Sequence, residues 1–307
     1  MKKILTTILV FSSLLGFSQD ENKENTEITR LFIFKSTGAE KDLESKNGHK
    51  ILPQKGDWGF GVNASSIIEY FGNAANGENF NSSPGFNSIS KNLPTATIWG
   101  KYFLAADLAW RGGLDIYAEN NKDRFRVNDD NSLNPDVGVF DVRDIQQFGF
   151  TASLGLEKRK GNSRIQGVYG ADVYVHYTSN NRTNIEYGNT ITQSNQNPTS
   201  TNFGNPTVAP TPALGYRLLE ANLGNDFEMG LRGFIGVEYF FAPKMSIGGE
   251  FYYGVSYVST SETAVTFEGY ESSTNEVLET STFTKGNRDI ELGLRNTSAA
   301  INLFFYF

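Results

Sequence analysis

Few residues in this 307-residue chain are of types that do chemistry. His176 follows Asp172 by four positions in a segment, Ile165 to Tyr177, whose apolar and polar residues alternate. In an extended strand, positions i and i+4 share a face, so the carboxylate lies where it can orient the imidazole for base catalysis on a lipid headgroup. Such a hydrolase also needs a nucleophile, and no Ser stands at a fixed spacing from His176. His176 is therefore read as an interior histidine satisfied beside a carboxylate, and no catalytic residue is assigned. With two His and no Cys, the chain lacks a donor set for a transition metal. Asp129-Asp130-Asn131 offers oxygen donors to Ca²⁺ without the surrounding pattern of a calcium loop. No metal or cofactor is expected.

A larger set of charges occupies the polar face of alternating segments. Glu69, Asp115, Glu157, Asp172, Glu228, Glu238 and Glu250 stand against Lys101, Arg111, Arg232 and Arg295, with His176 among them. If these side chains share one narrow interior, they must pair with one another, because a buried charge without a partner is costly. An open path lined by this acid-rich set would favour cations.

The elements that would create such an interior are eight strands. The first runs from about Asp57 to Tyr70, with Trp58, Phe60 and Val62 on one face and Gly59, Gly61, Asn63 and Glu69 on the other. The pattern recurs around Ala96–Leu104, Leu108–Tyr117, Phe148–Leu156, Ile165–Tyr177, Phe227–Tyr239, Met245–Tyr257 and Ile290–Phe307. Long connections at residues 72 to 93, 119 to 144, 179 to 225 and 261 to 288 alternate with short ones at Ala105 to Asp107, Lys158 to Ser163 and Ala242 to Lys244. That rhythm and the even count predict an all-β, eight-stranded antiparallel up-and-down transmembrane β-barrel, with long outer loops and short periplasmic turns. Lipid cannot satisfy a sheet edge, so the sheet must close.

Ile301, Leu303, Phe305 and Phe307 repeat every second residue up to a terminal aromatic. Ile290, Leu292 and Leu294 are out of phase with them, and a bulge near Asn296 to Ser298 would restore the register.

Lys2 and Lys3, the apolar stretch Ile4 to Phe17 and the site Gly16-Phe17-Ser18 predict a signal peptide over residues 1 to 18. Residues 19 to 56 are rich in charge and predict a mostly flexible periplasmic extension. The barrel then occupies residues 57 to 307. A mean hydropathy of -0.38 does not oppose this, because strands that alternate lipid-facing and interior residues average out as hydrophilic. The net charge of -7 argues against nucleic acid as a partner.

Gly100-Lys101-Tyr102-Phe103-Leu104 before a tight turn, together with the terminal aromatic strand, resembles the OmpA/OmpX-like outer-membrane β-barrel domain family over Asp57 to Phe307. The resemblance implies a bacterial outer-membrane location and recognition of the last strand by the barrel-assembly machinery; it implies no single activity. The expectation is a monomeric structural or surface-interaction barrel that contacts outer-membrane lipid and meets any extracellular ligand through its loops. A narrow porin or transporter of small or hydrophobic solutes stands second, and a lipid-modifying enzyme third.

Overall fold

The computed structural model describes residues 43–63, 98–203, 215–293 and 300–307. Within them the chain is all-β and antiparallel. The strands are β1 (Trp58–Asn63), β2 (Ile98–Ala105), β3 (Leu108–Asn128), β4 (Gly138–Lys160), β5 (Ile165–Glu186), β6 (Arg217–Asn222), β7 (Asn225–Ala242), β8 (Met245–Thr260), β9 (Thr263–Glu271), β10 (Glu276–Thr284), β11 (Arg288–Gly293) and β12 (Ala300–Tyr306).

Eight of them close into a ring, in the order β1, β2, β3, β4, β5, β7, β8, β12 and back to β1. β11 continues the last strand by pairing with the far half of β8, while β12 pairs with the near half. Between Gly293↔Gly254 and Ala300↔Glu250 the last strand advances seven residues while β8 advances four. An odd mismatch turns the side chains to the other face, which accounts for the change of phase read in the sequence. The residues expected to carry the bulge lie outside the described ones, as do Glu69, Arg295, the signal peptide and the connection at 72 to 93.

The alternation sorts side chains as expected. Trp58, Phe60, Ile98, Leu114, Ile116, Leu154, Val173, Leu231, Ile235 and Phe251 point outward and are exposed, whereas Trp99, Phe103, Phe234, Tyr252, Phe304 and Tyr306 are buried inside the ring. Large interior side chains meet glycine on the neighbouring strand. A Cβ at Gly61 would lie 2.3 Å from the Phe304 ring, and one at Gly170 2.6 Å from the Phe234 ring. A narrow ring cannot hold two bulky side chains abreast, so these glycines make the space that the aromatics fill.

The first and last short turns fall where the sequence places them, the last closed by Lys244 in the left-handed region, whereas β4 runs on through Lys158 and Arg159 to Lys160, so the second turn occupies residues 161 to 164. The long connections are different: much of their length is folded. β3 and β4 pair without interruption from Leu108↔Lys158 to Asn128↔Gly138, so residues 119 to 144 are an extended hairpin and not a loop. β5 leaves β7 after Ser179↔Asn225 and takes β6 as its next partner from Arg182, followed by β9 and β10. A second sheet, β3-β4-β5-β6-β9-β10, thus rises beyond the ring, with Ile185, Leu218, Ala221, Val265 and Phe267 as its core.

At the opposite end, the described part of the extension, from residue 43, packs against the ring. Ile51 and Leu52 are each 1% exposed and pack against Trp99, Phe103, Ala109, Phe240, Phe304 and Tyr306. Lys244 N donates to Ile51 O at 3.1 Å, Gly56 N donates to Phe103 O at 2.8 Å, and Lys244 Nζ is paired with Asp57. The segment closes the turn side of the ring.

Candidate functional site

The interior is organised in rows, because residues opposite each other on neighbouring strands share a face. One row runs Lys101↔Arg111, Arg111↔Gly155, Gly155↔Asp172 and Asp172↔Arg232. It places two cations side by side, and the acids that answer them come from other rows. Lys101 Nζ lies 2.8 Å from a Glu157 oxygen and 3.4 Å from Glu238. Arg111 grips Glu250 in a fork, with Nη1 to Oε1 at 3.2 Å and Nη2 to Oε2 at 2.9 Å. Its guanidinium sits between the Trp99 ring at 4.3 Å and the Phe234 ring at 3.9 Å. Two-point hydrogen bonding and ring faces together suit Arg where Lys would not serve.

Glu157 and Glu238 are joined by Arg159, which donates from Nε to Glu157 at 2.9 Å and from Nη2 to Glu238 at 2.5 Å. The hydroxyls of Ser246 and Tyr306 also donate to Glu238, and that of Tyr252 to Glu250 at 2.5 Å. Arg232 donates to Asp172 at 2.5 Å beside the rings of Tyr174 and Tyr252.

The buried cations Lys101, Arg111, Arg159 and Arg232 match the acids Glu157, Asp172, Glu238 and Glu250 one for one, and all eight are at most 3% exposed. The remaining acids of the expected set, Asp115 and Glu228, lie on the same interior face in a separate row with Thr151 and His176, Asp115↔Thr151↔His176↔Glu228, so the paired cluster is balanced and the acid excess falls in this second row. Glu69 and Arg295 lie outside the described residues. Arg159 was missed because it was assigned to a turn; its spacing of two from Glu157 was the available signal.

His176 occupies the interior but does not pair with Asp172, whose partner is Arg232. Its Nδ1 is 2.9 Å from Thr151 Oγ1 and its Nε2 is 3.0 Å from Thr178 Oγ1. Thr178 is in turn 3.2 Å from the Tyr117 hydroxyl, and the Tyr174 hydroxyl donates to Glu228 at 2.5 Å. Both ring nitrogens are thus occupied by threonines. Among the described residues no group of three or more His, Cys, Asp or Glu is arranged to hold a metal ion. Chemically, the arrangement holds opposite charges together out of water and ties β2, β3, β4, β5, β7, β8 and β12 across the ring.

Compared with protein-family models, with curated proteins and with solved structures, the chain matches none of them.

Proposed function

We propose that the chain is an outer-membrane β-barrel that serves as a structural and surface-contact protein and does not conduct. The observation that carries this reading is the inversion of the ring: its outside bears exposed apolar side chains, while its inside holds matched, buried charges. A soluble sheet would place these the other way round. Closed sheets are one of the two structures whose backbone lipid can accommodate, and about 9–11 tilted residues suffice to cross, fewer than β7 or β8 provides. Outward Trp58 beside Tyr102 at one end and Phe148 and Phe227 towards the other fit aromatic girdles at the two interfaces.

On this reading, the short turns and the Ile51–Leu52 segment face the periplasm, and the second sheet stands outside the cell. Outer-membrane lipid surrounds the ring, and the barrel-assembly machinery receives the strand ending Ile301, Leu303, Phe305 and Phe307. The closed turn side and the paired interior support a filled barrel over a porin or transporter. The threonine partners of His176 support a packing role over a catalytic one.

The test is reconstitution of the mature chain into planar bilayers, with thiol labelling of single-cysteine variants on whole cells. The expected result is heat-modifiable, inserted protein without steady conductance, labelled at Asn195→Cys and not at Gly161→Cys. Labelling only at position 161 would reverse the orientation; a stable open conductance would remove the structural role.

A further inference from the structure

The second sheet ends on a long open edge. Among the described residues, β10 pairs with β9 on one side and with no strand on the other. That pairing runs from Glu276↔Glu271 to Thr284↔Thr263 without a bulge. Edges that must stay single are usually guarded by charged side chains, above all Lys, by Pro or by a bulge; β10, of sequence EVLETSTFT, has no Lys, Pro or bulge, and its two charges are Glu276 and Glu279. It also leaves two apolar side chains in the open, Val277 at 43% and Phe283 at 62% exposure.

The strand is complementary to itself. If two copies run antiparallel with Thr280 at the two-fold axis, every residue finds a partner: Glu276 faces Thr284, Val277 faces Phe283, Leu278 faces Thr282 and Glu279 faces Ser281 of the second copy. Each exposed apolar side chain then meets the other, each carboxylate faces a hydroxyl, and no like charges stand opposite. The neighbouring registers are worse. Centring on Glu279 sets that carboxylate against its own copy, and centring on Ser281 puts Glu279 opposite Phe283.

We propose that β10 is a homodimerisation edge, to which a second copy of this chain adds its own β10 in the register centred on Thr280, joining two sheets into one. This replaces the expectation of a monomer. It does not rest on the membrane reading, because β10 belongs to the sheet beyond the ring. The self-matching register favours a second copy over an unrelated extended peptide.

The chain has no Cys, so single-cysteine variants report one contact each. Thr280→Cys and Phe283→Cys would be oxidised mildly in the full-length protein in detergent micelles and run on non-reducing gels. Directly opposed residues have Cβ atoms about 4.5–5.5 Å apart, close enough for a disulfide after small adjustment. Residue 283 would lie six positions from its own copy, about 20 Å along the strand, beyond reach. The expected result is a covalent dimer forming at least about tenfold faster at 280 than at 283, since only the former pair is within bonding distance.

In the Thr280→Cys background, Ser281→Glu sets two pairs of carboxylates face to face at an exposed position and should abolish the cross-link. Three outcomes would overturn the proposal: no dimer at 280 in folded protein, equal rates at 280 and 283, or a cross-link that Ser281→Glu leaves unchanged.

Discussion

Arg159 and Tyr306 hold the same carboxylate from opposite parts of the chain: both donate to Glu238, and Arg159 Nη2 also donates to the Tyr306 hydroxyl at 2.7 Å. Tyr306 is the last residue of β12, and Arg159 lies at the turn end of β4. Across the interior they fasten the final strand to the middle of the ring.

Tyr306→Phe removes the hydroxyl and leaves the ring stacked on Phe240 and Phe304. The loss should be about 1.5–3 kcal/mol, the range for a hydrogen bond to a charged group. Thermal unfolding followed by the shift from folded to unfolded gel mobility measures it. Parental stability in this variant would show that the hydroxyl does not hold Glu238.

Arg232→Ala strands Asp172, which is 2% exposed. Breaking a buried pair in this way costs about 3–5 kcal/mol, so the ring should melt far earlier than the parent. His176→Ala deletes contacts to two neutral hydroxyls and should cost about 1–3 kcal/mol. Gel-shift melting ranks the two variants, and single-channel recording checks that neither opens a path. An Arg232→Ala variant that melts like the parent and conducts would make the arginine a gate.

Leu52→Ala tests the segment that closes the turn side. Leu52 is as buried as the ring's own core, so truncation should cost about 2–5 kcal/mol. Conductance should stay absent, because Lys101, Glu157, Arg159 and Glu238 still fill the interior next to it. A loss near zero would mean that the segment rests on the ring without bracing it.

Asp130, at the tip of the β3–β4 hairpin, accepts from Thr199 N and Asn195 Nδ2 at 2.7 Å each. Hydrogen bonding by Thr199, joined by Asn195, holds its carboxyl below the usual 3.8. With the folded value depressed, its contribution is present above the ordinary carboxylate range and is lost as pH falls through the folded value. The protection of the Thr199 amide, measured as its exchange relative to the intrinsic rate at each pH, should therefore fall on acidification, and Asp130→Asn should remove that dependence. Exchange with the same acid dependence in Asp130→Asn would assign it to another group.

The eight-strand count of the ring and the inward or outward sense of its strands were legible because outward apolar and interior residues alternate with period two. The second sheet was not. Asn120 to Asn128 is wetted on both faces, so its strand carries no hydrophobic period and reads as a loop. Likewise Ile51 and Leu52 form an apolar pair too short to show a period, and only the ring above them makes them core. Of the buried interior charges, Lys101, Arg111, Glu157, Asp172, Arg232, Glu238 and Glu250 followed from alternation alone. Which acid answers which base depends on strand stagger, so sequence spacing paired His176 with Asp172 where the fold gives Asp172 to Arg232.

The ring closes by pairing the first strand with the last, Gly59↔Tyr306 to Asn63↔Asn302, and Trp58 and Phe307 exchange backbone hydrogen bonds at its end. These contacts join the first strand of the ring to the last, so they cannot form until β12 has been made. Until then β1 and β8 each present a bare flank, and long-range β pairing is slow because the loop entropy must be met first. The finished ring has no open edge, but its precursor has two sticky sides for the entire interval. A chain without β12 would keep the other pairings of the ring and still remain an open, aggregation-prone sheet.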